Sequence, residues 1–272
     1  MEVLSADRLE IPGLAALFSE CYSDYLVDLN IDEAGFRQHL ETNDIDLGCS
    51  RAAVDRRPVA LALIARRDAA GWVGGMGTIP SHRRRGLGEQ VLTAALGAAS
   101  AGGCEAVWLE VIDRNRAALQ LYCKLGFDVA RDLIVWSLPA PGAVGPSPRP
   151  VTPDEAHAWI VARREAREPW QRADASLATM QSRRSTLRGL MIERDDRVTA
   201  AVVFDELPEQ VTVMQIAAVD EEAAQAALLG ATGGARSLRL SNVPTDVAAS
   251  RALERLGAEL VVRQHEMVLQ FF

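Results

Sequence analysis

The sequence predicts a layered α/β (α+β) protein in which one architecture is built twice along the chain. Three observations predict it. Apolar runs of strand length alternate with helical patterns throughout the 272 residues. A proline- and glycine-rich stretch, residues 139–150, divides the chain near its middle. The order of elements before that stretch recurs, more weakly, after it.

In the first half, Val3–Leu4 reads as a short strand and residues 9–21 as a helix. A second helix runs from about Ile31 to Glu41, with Asp32 a suitable N-cap. "CSRAAVD" and "PVALALIARR" are apolar strands hinged at Arg56–Pro58, and "GWVGGMGTI" is a third. The next helix repeats Leu87, Val91, Leu92, Ala95 and Ala99 at helical spacing and stops at Gly102–Gly103. "EAVWLEVI" is a strand and "RNRAALQLYCKL" a helix stopped by Gly126. "FDVA" and "LIVWSL" read as two closing strands.

Residues 139–150, "PAPGAVGPSPRP", hold five prolines and two glycines. Proline withholds backbone donors from helix and sheet, so this segment reads as a semi-rigid linker between domains 1–138 and 151–272. Beyond it, helices are expected near 153–165 and 174–182, and strands near 187–193, 197–204 and 210–219. "RALERLGAELVVRQHEMVL" mirrors "LQLYCKLGFDVARDLIVWSL", and Leu256–Gly257 falls 131 residues after Leu125–Gly126. An internal duplication is the expected cause.

Composition narrows the function. The net charge of −8 argues against a nucleic-acid partner, which calls for a basic face. The four cysteines form no C-x-x-C pair and the four histidines do not cluster, so neither a metal site nor a disulfide framework is expected. "MEVLSADRLEIPG" lacks the charge and apolar run of a signal peptide, and no stretch is apolar enough to span a membrane. A cytoplasmic protein with no membrane partner is expected. Nothing in the pattern fixes an oligomeric state.

The most informative stretch is "IPSHRRRGLGEQ", residues 79–90, where a strand hands over to a helix. The first amides of a helix have no partners within it and lie at the positive end of its dipole. Gly86 and Gly88 remove side chains that would hold a ligand away, which makes a site for phosphate oxygens. Arg84 and Arg85 can add charge-assisted bonds. Neither the Walker spacing nor G-x-G-x-x-G is present. Gly74, Gly75 and Gly77 interrupt the preceding strand, as at a bulge or a close approach by another backbone or a ligand.

The run P-x-x-R-x-x-G-x-G, Pro80 to Gly88, resembles the acetyl-CoA signature of the GCN5-related N-acetyltransferases (GNAT superfamily). "LEVIDRNRAALQLYCKLGF" resembles that superfamily's next segment, and the likeness covers residues 70–138. It implies two GNAT-like domains, each a mixed sheet flanked by helices, and acetyl-CoA as co-substrate. It implies that the amides of Arg84, Arg85, Gly86, Leu87, Gly88 and Glu89 hold the pyrophosphate, and that Met76, Gly77 and Thr78 line the pantetheine arm and thioester. Asn115 would reach that arm, or serve only as a helix N-cap.

Acetyl transfer to a primary amine needs a proton acceptor, since an alkyl ammonium has a pKa near ~10. It also needs donors for the developing oxyanion, each typically worth about 3 kcal/mol. Glu110 is the one charge inside "AVWLEVI", where burial would raise its pKa toward a useful range. The ribosomal-protein N-terminal acetyltransferases that it resembles carry a catalytic glutamate at the matching place in "WLEV". Tyr122 lies on a stripe with Ala118, Leu121 and Leu125. The "LYxxLGF" likeness implies that it protonates the leaving thiolate.

Cys104 and Cys123 read as packing residues. Asp24, Asp28, Asp32 and Glu33 read as a solvated face near the junction of the first two helices. The acceptor stays open between a protein N-terminus, a lysine and a small-molecule amine. A non-catalytic acyl-CoA sensor or scaffold is the alternative reading. In the 131-residue register Glu110, Asn115 and Tyr122 fall on Ser241, Asp246 and Leu253. Asp220, Glu221 and Glu222 stand where the arginine turn would be. The second half is therefore expected to keep the fold and not the cofactor site.

Overall fold

The computed structural model describes all residues except 26–30, 143, 144, 146 and 272. The chain forms two compact units. Unit 1 is Met1–Ala130 with the segment from Glu266 onward, and unit 2 is Arg131–His265.

Unit 1 opens with β1 (Glu2–Ser5), α1 (Ile11–Cys21) and α2 (Glu33–Thr42). Asp32 caps α2 by accepting from the Gly35 N–H at 2.7 Å, as the sequence predicts. An antiparallel meander follows: β2 (Ile45–Asp55), β3 (Arg57–Arg67) and β4 (Ala70–Thr78). Then come α3 (Leu87–Ala101), β5 (Ala106–Ile112) parallel to β4, and α4 (Arg116–Lys124). The strand order is β1-β2-β3-β4-β5-β12, where β12 is Glu259–Gln270 and unit 1 holds its end from Glu266.

β3 lies between covered faces, which is why its run Val59–Ala65 is continuously apolar and buried. Leu14, Leu17, Phe18 and Cys21 recur on α1 at the spacing of one buried helix stripe. On α3, Leu87, Val91, Leu92, Ala95 and Ala99 are at most 1% exposed. Burying a leucine contributes roughly 2 kcal/mol, so α3 is anchored at its first residue.

Unit 2 takes β6 (Asp128–Leu138) from Arg131 on, then β7 (Arg149–Val151), α5 (Pro153–Val161) and α6 (Asp174–Gln181). β8 (Leu187–Arg194), β9 (Arg197–Glu206) and β10 (Gln210–Ala218) form its meander. α7 (Glu221–Thr232), β11 (Ser237–Pro244), α8 (Ala248–Arg255) and the start of β12 complete it. The order is β12-β6-β11-β10-β9-β8-β7.

The sequence reading differs from this structure in three places. "FDVA" and "LIVWSL" are one strand, β6. Arg131–Asp132 resembles a turn, but Asp132 is held in the strand by His265 at 2.7 Å and Arg263 at 3.6 Å. The division into units falls within β6, not at residues 139–150, and the end of β12 packs in unit 1, with Met267 fully buried there. Alternation shows that a closing strand is half-buried but not which sheet it joins. Third, Arg149 and Pro150 of the expected linker belong to β7, an edge strand where the missing proline N–H costs no ladder bond.

The 131-residue repeat has a structural counterpart. α4 stops with Gly126 at φ 90° and the Phe127 N–H donating to Tyr122 O at 3.0 Å. α8 stops with Gly257 at φ 72° and the Ala258 N–H donating to Leu253 O at 2.9 Å. Both are the same left-handed helix stop.

Candidate active site

The β4–β5 ladder pairs Ala70–Trp72 with Ala106–Trp108, and there it ends. β4 continues along β3, with Val73 opposite Ile64 and Gly75 opposite Leu63, so Gly74 is the extra residue of a bulge. The Gly74 carbonyl accepts from His39 Nε2 at 2.8 Å. Asn43 Nδ2 donates to His39 Nδ1 at 3.2 Å, which leaves the hydrogen on Nε2. Burial holds the His39 pKa below its ordinary value, against the pull of the Gly74 bond. The imidazole is a neutral pin for the bulge.

Beyond the bulge, backbone groups alternate between β3 and the parting. The Met76 N–H donates to Tyr22 Oη, which donates back to Met76 O, both at 2.9 Å. Met76 thus turns its amide into the parting, while Gly77 pairs with Leu61 on β3. The strand glycines do admit a close neighbour, and it is α1. A Cβ on Gly75 would lie 2.7 Å from Phe18, and one on Gly77 would lie 2.6 Å from Cys21.

The turn before α3 is built on unusual backbone. Gly86 is the N-cap at φ 77°, ψ 3°, and no side chain caps the helix. Arg84 is also left-handed, at φ 60°. The side chains of Arg84 and Arg85 are exposed, and Arg85 reaches Ser81 O at 3.3 Å. Arg83 fixes the turn: it grips the Asp24 carboxylate at 2.6 and 2.7 Å and donates to Thr78 O and Cys21 O at 3.0 and 3.1 Å. The guanidinium holds the Asp24 carboxyl below its usual range. Glu89 pairs with Lys124, the chain's single lysine, at 2.6 Å.

Tyr122 is buried, and its hydroxyl lies 3.5 Å from Met76 Sδ. Burial pushes its phenol pKa up, with a smaller push from Tyr25. Tyr22 is raised for the same first reason. All three tyrosines of the chain therefore gather here, with Tyr22 and Tyr25 edge to face at 5.1 Å. Asn115 is the N-cap of α4: Oδ1 accepts from the Ala118 N–H at 3.2 Å, and Nδ2 donates to Tyr25 Oη at 3.4 Å. Glu110 is half-buried on β5, and its Oε2 accepts from Trp72 Nε1 at 2.7 Å.

Of the residues singled out in the sequence, Met76, Thr78, Gly88 and Tyr122 form one cluster. A Cβ on Gly88 would lie 2.8 Å from Met76 Cε and 3.6 Å from Thr78 Oγ1. Leu87 faces the core, and Glu110 is held at the base of the parting by Trp72. Sequence reasoning missed Tyr22, Tyr25, His39, Trp72 and Arg83. Tyr22 had a signal: it follows Phe18 by four residues on the buried stripe of α1, a polar-tipped aromatic at the helix end.

Cys104 is buried as expected, whereas Cys123 is exposed. Burial pushes the Cys21 thiol up to about 12. Asp24 and Glu33 are paired with Arg83 and Arg37, Asp32 is the cap of α2, and Asp28 lies outside the described residues. Among the described residues no group of three metal-ligating side chains converges, and no helix is long and apolar enough to cross a membrane.

Comparison with known proteins agrees with this geometry. Residues 11–127 match the acetyltransferase (GNAT) family. An N-alpha-acetyltransferase MAK3 of Arabidopsis thaliana is 37% identical over 68 residues, which cover 25% of this chain and 36% of that protein. The chain therefore spans about a third of that relative's length. A tandem GNAT protein from the clavulanic acid biosynthesis pathway superposes with a TM-score of 0.70 at 14% identity, over 99% of this chain and 98% of that one. A GCN5-related N-acetyltransferase from Sphaerobacter thermophilus gives 0.69 at 16% identity, over 98% and 93%. Residues 11–127 thus match the acetyltransferase (GNAT) family, and the chain along its length has the fold of a tandem GNAT protein.

Proposed function

We propose that the chain is an N-acetyltransferase that moves an acetyl group from acetyl-CoA to a primary amine. In this reading unit 1 is the catalytic domain and unit 2 a degenerate counterpart. One observation carries the reading. Where β4 leaves β5, the Met76 amide donates to Tyr22 Oη at 2.9 Å, and a thioester carbonyl that displaced this hydroxyl would take over the donor at the distance an oxyanion requires.

The residues present fit the co-substrate. The uncapped first turn of α3, from Leu87 to Glu89 after Gly86, offers amides at the positive end of a helix dipole. Arg84 and Arg85 stand at its rim. Met76 and Thr78 run from that turn toward the bulge. Acetyl-CoA, when bound, supplies the activated acyl group as a thioester.

Glu110 takes the proton of the acceptor ammonium on its carboxylate, which Trp72 orients. Tyr122 keeps its proton because it is buried, and its hydroxyl already faces one sulfur, that of Met76. A phenol held well above the ordinary pKa of a thiol near 8.5 stabilises a departing thiolate mainly by donating a hydrogen bond. His39 holds the bulge, and Arg83 holds the turn against α1.

Thiol release from acetyl-CoA, followed across protein N-terminal peptides, lysine peptides and small amines, tests the assignment. Turnover with at least one amine is expected. Tight binding of the thioester without turnover on any amine would replace the enzyme by an acyl-CoA sensor.

One site per chain is the second expectation. Asp220 caps α7 through the Ala223 N–H at 2.8 Å, and Glu221 and Glu222 occupy its first turn. Carboxylates there satisfy the dipole and repel a pyrophosphate. Calorimetric titration of the full chain with acetyl-CoA should give a stoichiometry near one. A value near two would overturn the one-site assignment. The full chain is required because the part of β6 from Arg131 pairs with β11.

A further inference from the structure

Unit 2 repeats the parting of two parallel strands. β10 pairs with β11 from Gln210–Val213 against Ser237–Leu240 and then leaves it. Met214 is the extra residue of a bulge against β9, as Gly74 is in unit 1. In both units the bulge carbonyl accepts from a side chain of the α-helical layer. In unit 1 that donor is His39, and in unit 2 it is Arg172.

Arg172 does more than pin a bulge. It sits on a short 3-10 turn, Trp170–Arg172, and is 5% exposed. Nε donates to Met214 O on β10 at 2.9 Å, and Nη1 donates to Ser241 O on β11 at 3.1 Å, with Asn242 O at 3.5 Å. Nη2 lies 3.0 Å from Glu168 Oε2, and Glu168 is itself 7% exposed. One planar fork thus spans both diverging strands and meets a carboxylate.

The surroundings hold that fork in place. Gln215 Nε2 donates to the Arg172 carbonyl at 2.6 Å and to Asp174 Oδ1 at 3.0 Å. Asn242 Nδ2 donates to Gln171 Oε1 at 3.0 Å. Asn242 adopts φ 54°, where β11 slips register against β6. That backbone turns carbonyls toward the guanidinium.

Stability alone does not account for this pair. A buried ion pair costs much of what it gains, and apolar residues of like volume are often as stable. Strands that part, however, leave carbonyls without ladder partners, and buried carbonyls need donors. A guanidinium has five donors in a rigid plane, which an ammonium lacks.

We propose that the parting of β10 and β11 is a binding slot for a guanidinium group, and that Arg172 is its built-in occupant. The slot is shaped by carbonyls on both strands and closed by Glu168. Its ligand class is a planar, forked cation. The slot stands on unit 2 geometry and is independent of the thioester reading of unit 1. A chain that failed to bind acetyl-CoA would leave it untouched.

The test is chemical rescue in the full chain. Arg172→Ala leaves Glu168 buried without its partner, and a fall in Tm of roughly 10 °C is expected. Methylguanidinium at about 10 mM, far below denaturing concentration, should then raise the variant's Tm by several degrees through binding to the folded state. The unsubstituted chain should not respond, because its slot is filled. Methylammonium, with the same charge and no fork, should not rescue. If Arg172→Ala does not fold unaided, recovery on refolding with methylguanidinium becomes the readout. No rescue in either form, or an equal rise in the unsubstituted chain, would overturn the slot.

Discussion

Acetyl-CoA titrated into a Gly86→Val chain is expected to show at least a hundredfold weaker binding, with the fold intact. Gly86 is left-handed at φ 77°. A β-branched residue there is strained by roughly 1–2 kcal/mol or more, so the turn adopts another backbone. Crowding is not the cause: a Cβ at this position would meet only Gln90 Nε2, at 3.9 Å. The effect must run through the amides of Leu87, Gly88 and Glu89, whose directions depend on the Gly86 conformation. Leu87 and the rest of the α3 stripe stay buried, which protects the fold. Gly86→Ala should lose less, about tenfold, because alanine tolerates the left-handed region better than valine. Circular dichroism checks the fold, and calorimetry reads the affinity. Full affinity in a folded Gly86→Val chain would remove the phosphate assignment.

That turn was legible because its chemistry is local. Three arginines, two glycines and a helical stripe lie within a few residues, and each acts through its own backbone. The strand "AVWLEVI" was legible for the same reason, as a single charge in an apolar run. What stayed hidden acts across long separations. Tyr22 reaches Met76 over 54 residues, and Trp72 reaches Glu110 over 38. Neither contact leaves a period in the sequence. Arg172 lies in a stretch of arginines and acids, "ARREAREPWQR", and only the fold shows it 5% exposed between two strands. The glycines at 75 and 77 were read as places of close approach by another backbone or a ligand; what approaches is the side chains of Phe18 and Cys21 on α1, which could not be named from the strand alone.

The same local legibility puts the largest catalytic effect on Glu110. Glu110→Gln should lower kcat by roughly 10²–10³-fold while leaving acetyl-CoA affinity unchanged, because general-base removal costs about that much and the α3 turn is untouched. The amide keeps the shape and can still accept from Trp72 Nε1, so a fall in rate reports the lost proton acceptor and not a moved strand. The pH profile separates the roles further. Without the carboxylate, the residual rate should climb about tenfold per pH unit up to the amine pKa near ~10, following the free-amine fraction. Tyr122 contributes no falling limb below about pH 10, since burial raises its pKa above the ordinary tyrosine value and the proton stays on. Tyr122→Phe should therefore lower kcat at every pH by a similar factor, about tenfold to a hundredfold, for the loss of one donor to sulfur. A Tyr122→Phe profile that bends at alkaline pH where the unsubstituted chain does not would contradict that assignment. Full turnover of Glu110→Gln across the range would move the proton to solvent and leave Glu110 as a partner of Trp72 alone.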